Sequence, residues 1–362
     1  MENNDEEKKH PSAFEPSLLI LNIILSFFGA IIGLQIITTL GVTPNTAVIG
    51  VLVAIMISRV PLAMMKKFRN IQRQNLVQST ISSATFGAAN ALLLPIGVPY
   101  LLGRFDLVIP MFIGATMGML IDLLMLYWMF DSRAFPGKAA WPPGVAAAEA
   151  IYAGDEGGKR AMLLLYGVGA GIVGSFFKIP MSALGITMIA NIWAMIMFAV
   201  GLLLRGYSMQ LFGIDMNKMY IPHGFMIGAG LVAGIQIMLI MFKKKSEAEQ
   251  AADKKEAENG GGYTRSDDDV RRSLIRGVSL YVGSGIVVAI LSGLYTSMPI
   301  AQLVGWVIFC AMACVLAEFI VGLSAMHSGW FPAFATSLIF LVLGILIGFP
   351  PEALALLVGF VA

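Results

Sequence analysis

Runs of about 20 residues with almost no charge recur along this chain, and a helix of that length crosses a bilayer core. They are Ser17–Leu40, Thr46–Met65, a compound segment Leu76–Leu102, Leu107–Phe130, Ala161–Phe177, Met181–Leu204, Gly224–Phe242, Leu274–Tyr295, Ile300–Leu323 and Pro332–Phe349. In hydrocarbon only helices and closed barrels satisfy every backbone N–H and C=O, and these runs are continuous rather than alternating, which argues against a barrel. The fold class is therefore an all-α polytopic integral membrane protein, with about 10–12 transmembrane helices at that span length. Only 13% of the residues are charged, against roughly a quarter in soluble domains. A last apolar run starts at Ala353 and is too short to cross, so the chain is expected to be a fragment of a longer protein.

Hydrophilic sequence interrupts this pattern in few places. Residues 243–276 are charged and rich in Gly, Ala and Glu, the composition of a flexible loop. Nine of the 24 Lys and Arg fall there, which by the positive-inside rule makes the loop cytoplasmic. The cluster Lys66, Lys67, Arg69 and Arg73 is assigned to the same side. The expected organisation is a cytoplasmic N-terminal tail (1–16), a first membrane bundle (17–242), the charged loop (243–273) and a second membrane segment (274–362). The N-terminus, "MENNDEEKKH", lacks the basic region of a cleavable signal, so the first run acts as an uncleaved anchor at the cell membrane. A single crossing by Leu76–Leu102 would put the two basic loops on opposite sides. A broken or re-entrant segment near 74–102 restores parity, and Pro95, Gly97 and Pro99 supply the break.

The same segment opens with "QNLVQSTISSA", a cluster of uncharged hydrogen-bonding side chains. On a helix, Asn75, Gln78 or Ser79, Ser82 and Thr85 or Phe86 would line one face. A polar stripe beside a Pro/Gly break is how interrupted helices build substrate sites; the bland alternative is hydrogen bonding between helices. Asp122 and Glu318 sit inside apolar runs, where a carboxylate costs about 2.5–3.5 kcal/mol. Both are candidate proton-coupling groups, or else structural partners of an unseen base. Arg59 is expected to snorkel to the interface. His223 and His327 read as capping or packing residues, and Gln35, Asn191 and Gln236 as cavity-lining or interhelical groups.

GxxxG pairs at Gly29/Gly33, Gly114/Gly118, Gly167/Gly171, Gly224/Gly228, Gly230/Gly234 and Gly344/Gly348 suit close helix packing. "GAGIVG" at Gly169–Gly174 matches a dinucleotide-binding pattern but lies in a membrane run with no preceding strand, which excludes that reading. Cys310 and Cys314, the only cysteines, lie four apart in an apolar run and read as packing residues. With no Ser/His/Asp, HExxH or Walker pattern, the chain is not read as an enzyme, and it calls for no cofactor and no bound metal.

Residues 135–178 join a Pro-Gly turn expected at Trp141–Gly144 to an Ala-rich helix carrying Glu149, then "AGDEGG" and a Gly-rich span. This order resembles the oligopeptide transporter (OPT) family, which includes the YSL metal-chelate carriers, whose bacterial members read roughly F-P-E-G-V-A-C-A-E-V-L-K-A-G-E here. "QNLVQSTISSA" is similar to the family's E-N-x-V-Q-T-x-x-S-A-G, with Gln74 where many members have Glu. The resemblance runs from about Ala30 to Lys178. It implies proton-coupled uptake of small peptides or peptide-like metal chelates by alternating access. By matching position the resemblance assigns Asn75, Gln78, Ser82, Ser83, Pro143, Gly144 and Ala148 to the substrate pathway, where the polar stripe adds Ser79; proton coupling would use the matched Glu149 or the intramembrane Asp122 or Glu318. The partners are then the bilayer, the substrate and protons, with no nucleic acid and with self-association left open. The alternative is a passive channel or facilitator for small polar solutes.

Overall fold

The computed structural model describes residues 10–40, 46–61, 63–177, 179, 181, 193–242, 263–328 and 333–361. In chain order the helices are α1 (Pro16–Leu40), α2 (Ala47–Arg59), α3 (Ile71–Phe86), α4 (Leu94–Leu101), α5 (Val108–Met129), α6 (Pro142–Glu156), α7 (Gly158–Phe176) and α8 (Trp193–Phe212). Then come α9 (Ile221–Phe242), α10 (Asp267–Leu291), α11 (Leu294–Ser297), α12 (Ile300–Ser328), α13 (Ala333–Ile347) and α14 (Pro351–Val361). Among the described residues, five helices are long and apolar enough to cross a membrane: Pro16–Thr38, Ile71–Leu101, Phe105–Met129, Asp267–Leu291 and Ile300–His327. The chain is thus an all-α polytopic membrane protein.

The interruption expected near 74–102 is a change of helix type. The chain is helical from Ile71 to Leu101, with a π-helical segment at Gly87–Leu93 just ahead of Pro95 and Pro99. Proline has no N–H to donate to the preceding turn, and a wider π turn is one way a helix absorbs that loss.

Internal contacts divide the chain into two units that interleave in sequence. One comprises Met1–Leu93, Pro142–Ala190 and Leu202–Met216; the other comprises Leu94–Trp141, Asn191–Gly201 and Asn217–Ala362.

The first unit is organised around α3. Asn70 caps it, its side chain accepting from the N–H groups of Gln72 at 2.9 Å and Arg73 at 3.3 Å. One face, Gln74, Val77, Gln78, Ile81 and Thr85, is buried against α1 and α2. Glycines let the backbones meet there. A Cβ at Gly29 would lie 2.9 Å from the Ile81 carbonyl oxygen, one at Gly50 would lie 2.7 Å from that of Gln78, and one at Gly33 would collide with that of Thr85. Gly167, Gly171, Gly224 and Gly228 have no neighbour at that range, so of the glycine pairs with both members among the described residues only Gly29/Gly33 seats two helix backbones at both positions. Glu15, just before α1, bonds Arg73 at 2.9 Å and Lys67 at 3.2 Å, tying the start of the first span to the start of α3. Hydrogen bonds from Arg73 and Ser17 hold the Glu15 carboxyl down at about 2.

The second unit packs α10 between α5 and α12. Its core holds Met111, Met125, Met129, Tyr281, Trp306, Cys310, Leu356 and Leu357. Helix α10 begins at Asp267, seven residues earlier than the apolar pattern suggests, because Ser266 and Asp269 form a capping box. The run from Ala353 is the buried helix α14, packed against α4, α5, α12 and α13. Trp306 donates its indole N–H to the Ala353 carbonyl at 2.9 Å, and Arg104 pairs with Glu352 at 2.6 Å. Between α5 and α6, Asp131 adopts φ +58° and accepts from the N–H groups of Gly137 and Thr264, both at 3.2 Å. These bonds, Thr264 first, keep its carboxyl below the usual range.

Candidate functional site

Helix α3 carries polar side chains on two faces rather than one. At 100° per residue, Gln74, Gln78 and Thr85 share the buried face with Val77 and Ile81, while Asn75, Ser79 and Ser83 form an exposed line one step round the helix. Ser82 is half-buried between them. Of the two alternatives expected beside Asn75, Ser79 therefore shares its face and Gln78 does not. Ser79 Oγ lies 3.4 Å from Gln78 Oε1 and links the two sets. Gln74 donates to the Arg69 carbonyl at 3.1 Å, while its Oε1 is buried without a partner among the described residues. Thr80 and Thr85 satisfy their hydroxyls on carbonyls one turn back, at 2.9 and 2.8 Å. The exposed line thus owes nothing to packing within its unit.

Helix α6 lies in the same unit and touches both α2 and α3. The rigid turn expected at Trp141–Gly144 is the helix start itself: Trp141 takes φ +37°, Pro142 and Pro143 occupy the first helical turn, and Gly144 is already helical. Proline tolerates this place because the first N–H groups of a helix have no acceptor in it. Ala147, Ala150 and Ile151 pack on Ala47 and Val51. Gly144, Ala148 and Glu149 are exposed, and Pro143 is half-buried. Arg59 does not simply snorkel. Its guanidinium donates to the Gly154 carbonyl at 2.9 Å, capping the last turn of α6.

Asp122 and Glu318 both belong to the second unit and meet there at a residue the sequence reading passed over. Tyr281, on α10 and 1% exposed, donates its hydroxyl to Asp122 Oδ1. The same tyrosine interacts electrostatically with Glu318 and Cys314, and the Asp122 charge acts on Glu318. Both Glu318 carboxylate oxygens are buried with no hydrogen-bond partner among the described residues. Asp122 keeps an exposed side on α5, among Leu120, Leu123 and Leu124. Two carboxyls near one buried tyrosine, with the hydroxyl donated to Asp122 alone, cannot easily carry two negative charges, so the arrangement suits holding a proton and releasing it. A tyrosine centred in an apolar span was the available signal, since a buried hydroxyl must find a partner.

Glu149 belongs to the other unit from Asp122 and Glu318. His223 packs its ring 5.7 Å from Tyr220, with Nδ1 lacking a partner among the described residues, and His327 is exposed in the last turn of α12. Gln35 is exposed on α1 and Gln236 half-buried on α9, whereas Asn191 lies outside the described residues. Cys310 and Cys314 are free thiols, 0% and 4% exposed.

A family model described as OPT oligopeptide transporter protein matches residues 16–242, which holds α1 to α9, both α3 polar sets, Glu149 and Asp122. Tyr281 and Glu318 lie beyond the matched region. Comparison with curated proteins and with solved structures gives no match. With the match covering more than half of the sequence, the chain belongs to the OPT oligopeptide transporter family.

Proposed function

We propose that this chain carries small peptides or peptide-like metal chelates across the cell membrane, driven by protons and working by alternating access. Membership of the OPT family supports the substrate class. The single observation behind proton coupling is the Asp122–Tyr281–Glu318 cluster, two carboxyls and a hydroxyl brought together within membrane helices. Asn75, Ser79 and Ser83, with Ser82 beside them, offer the substrate backbone hydrogen-bonding groups on the open face of α3. Gln78 sets the angle of that face from the buried side. Pro143, Gly144 and Ala148 expose a smooth small-residue surface on α6 along which a peptide backbone can slide, and Glu149 stands next to it as a second titrating candidate. The N-terminus and the basic cluster of Lys66, Lys67, Arg69 and Arg73 are assigned together to the cytoplasmic side on the charge distribution, and the Glu15 pairing with Lys67 and Arg73 supports their sharing a side.

Uptake of a labelled peptide mixture into proteoliposomes, with and without an inward proton gradient, tests this reading. Accumulation above equilibrium only with the gradient supports it. Equilibration indifferent to the gradient would make the protein a facilitator instead. If no peptide enters, peptide-like metal chelates are the next substrates to offer.

A further inference from the structure

Where α5 ends and α10 begins, a cleft of about 70 Å³ is lined by Trp128, Arg265, Asp269, Arg272, Ser273 and Arg276. Both helices belong to candidate spans, Phe105–Met129 and Asp267–Leu291, so the cleft lies at the membrane edge of the bundle. None of the three arginines makes an ion pair within 4 Å among the described residues. Asp269, the carboxylate lining the cleft, accepts at Oδ2 from the Ser266 N–H at 3.0 Å and hydroxyl at 2.8 Å, and meets Arg272 and Arg265 only at longer electrostatic range. Two of the guanidiniums lie over aromatic rings: Arg276 sits 5.6 Å from the Trp128 ring centre and Arg265 5.9 Å from that of Tyr127. A cation–π contact uses none of the guanidinium N–H groups as donors, and these groups match phosphate oxygens two at a time.

From this geometry we infer that the cleft binds a phosphate group, delivered by the headgroup of an anionic phospholipid. A lipid source follows from position. Tyr127 and Trp128 are the aromatic residues that settle at a membrane–water boundary, and basic pockets between spans there capture anionic headgroups. Leu124, one turn before Trp128 on α5, and Leu280, one turn beyond Arg276 on α10, are exposed towards the apolar part of the spans, where acyl chains would lie. Arg272 and Arg276 stand one turn apart on α10 and present both charges to one headgroup.

The test uses the full chain purified in neutral detergent, with bound lipid counted by native mass spectrometry against phosphatidylglycerol and phosphatidylcholine. The wild type and Arg271→Gln, an exposed arginine outside the cleft, are expected to retain one phosphatidylglycerol with about tenfold preference over phosphatidylcholine. The double variant Arg272→Gln/Arg276→Gln loses that preference. Equal retention by the double variant, or no preference in the wild type, overturns the proposal. Should inorganic phosphate alone strip the lipid at millimolar concentration, the occupant is free phosphate and the lipid assignment falls. If the double variant aggregates, the wild type still decides: retention must drop between about 0.05 and 0.5 M salt, where charge screening takes hold, and indifference to salt overturns the site.

Discussion

Tyr281 on α10 donates its hydroxyl to Asp122 on α5, a residue 159 positions earlier in the chain, and that bond places a carboxylate and a tyrosine beside Glu318. A hydrogen bond to a charged group is worth about 1.5–3 kcal/mol. Tyr281→Phe keeps the ring and removes the donor, so proton-driven uptake in proteoliposomes is expected to fall about tenfold or more while the detergent-extracted protein stays monodisperse. Uptake within twofold of wild type would sink the role of this hydroxyl.

Glu318 gives the opposite balance of stability and function. Its two oxygens are buried without hydrogen-bond partners among the described residues, a situation that costs several kcal/mol for a charged carboxylate. Glu318→Gln is expected to match or raise the thermal midpoint of the wild type and to abolish accumulation above equilibrium. Measuring both on one preparation separates coupling from folding; a less stable variant that still accumulates substrate would contradict the assignment.

The glycines of α1 and α2 are predicted to divide sharply from those of α7. Gly33→Ala and Gly50→Ala push a methyl against the carbonyls of Thr85 and Gln78, and overpacking of this kind costs about 1–3 kcal/mol. Both should lower the thermal midpoint and disturb the exposed line on α3. Gly167→Ala and Gly171→Ala meet nothing, and alanine favours helix over glycine by about 1 kcal/mol. Thermal melts of the four variants check the ranking, and equal effects in all four would refute it.

Glu15 predicts a pH dependence with a definite sign. Its carboxyl is held near 2 in the folded chain against an ordinary value of 4.5, so the pairing stabilises fully above pH 4.5 and is lost as pH falls towards 2. The thermal midpoint of Glu15→Gln should sit below wild type by a constant amount from pH 7 to about 4.5 and converge with it in acid. The neutral-pH difference is small, about 1 kcal/mol, because the side chains of this network remain a quarter to a third exposed.

Arg59→Ala leaves the Gly154 carbonyl without its donor. The expected loss is about 1 kcal/mol, with Arg59→Lys giving partial recovery. Protease protection around α6 reads the effect.

Helix positions were legible in the sequence because apolar run length alone marks a span: α1, α5, α9 and α12 begin within a few residues of the runs expected. Where polar signals set the boundary, hydropathy missed it. Ser266 and Asp269 start α10 within charged sequence, and the Pro142–Pro143 pair opens a helix rather than making a turn. Asn75 and Gln78 look alike in the sequence as polar pathway residues, but which of them faces a neighbouring helix depends on where Gly29, Gly33 and Gly50 let α1 and α2 approach, and the linear sequence does not carry that contact. Asp122 and Glu318 stood out singly as misplaced charges. Their meeting at Tyr281 required three helices to be assembled.

Cys310 and Cys314 sit sealed in the core of the second unit. Maleimide added to the folded protein should leave them untouched, so the native sequence already serves as a silent background for cysteine scanning. Single cysteines placed at Asn75, Ser79, Ser83 or Glu149 can then be tagged one at a time, from either side of a sealed vesicle. Their labelling rates with and without substrate would trace the water-filled route through the protein without first deleting a thiol.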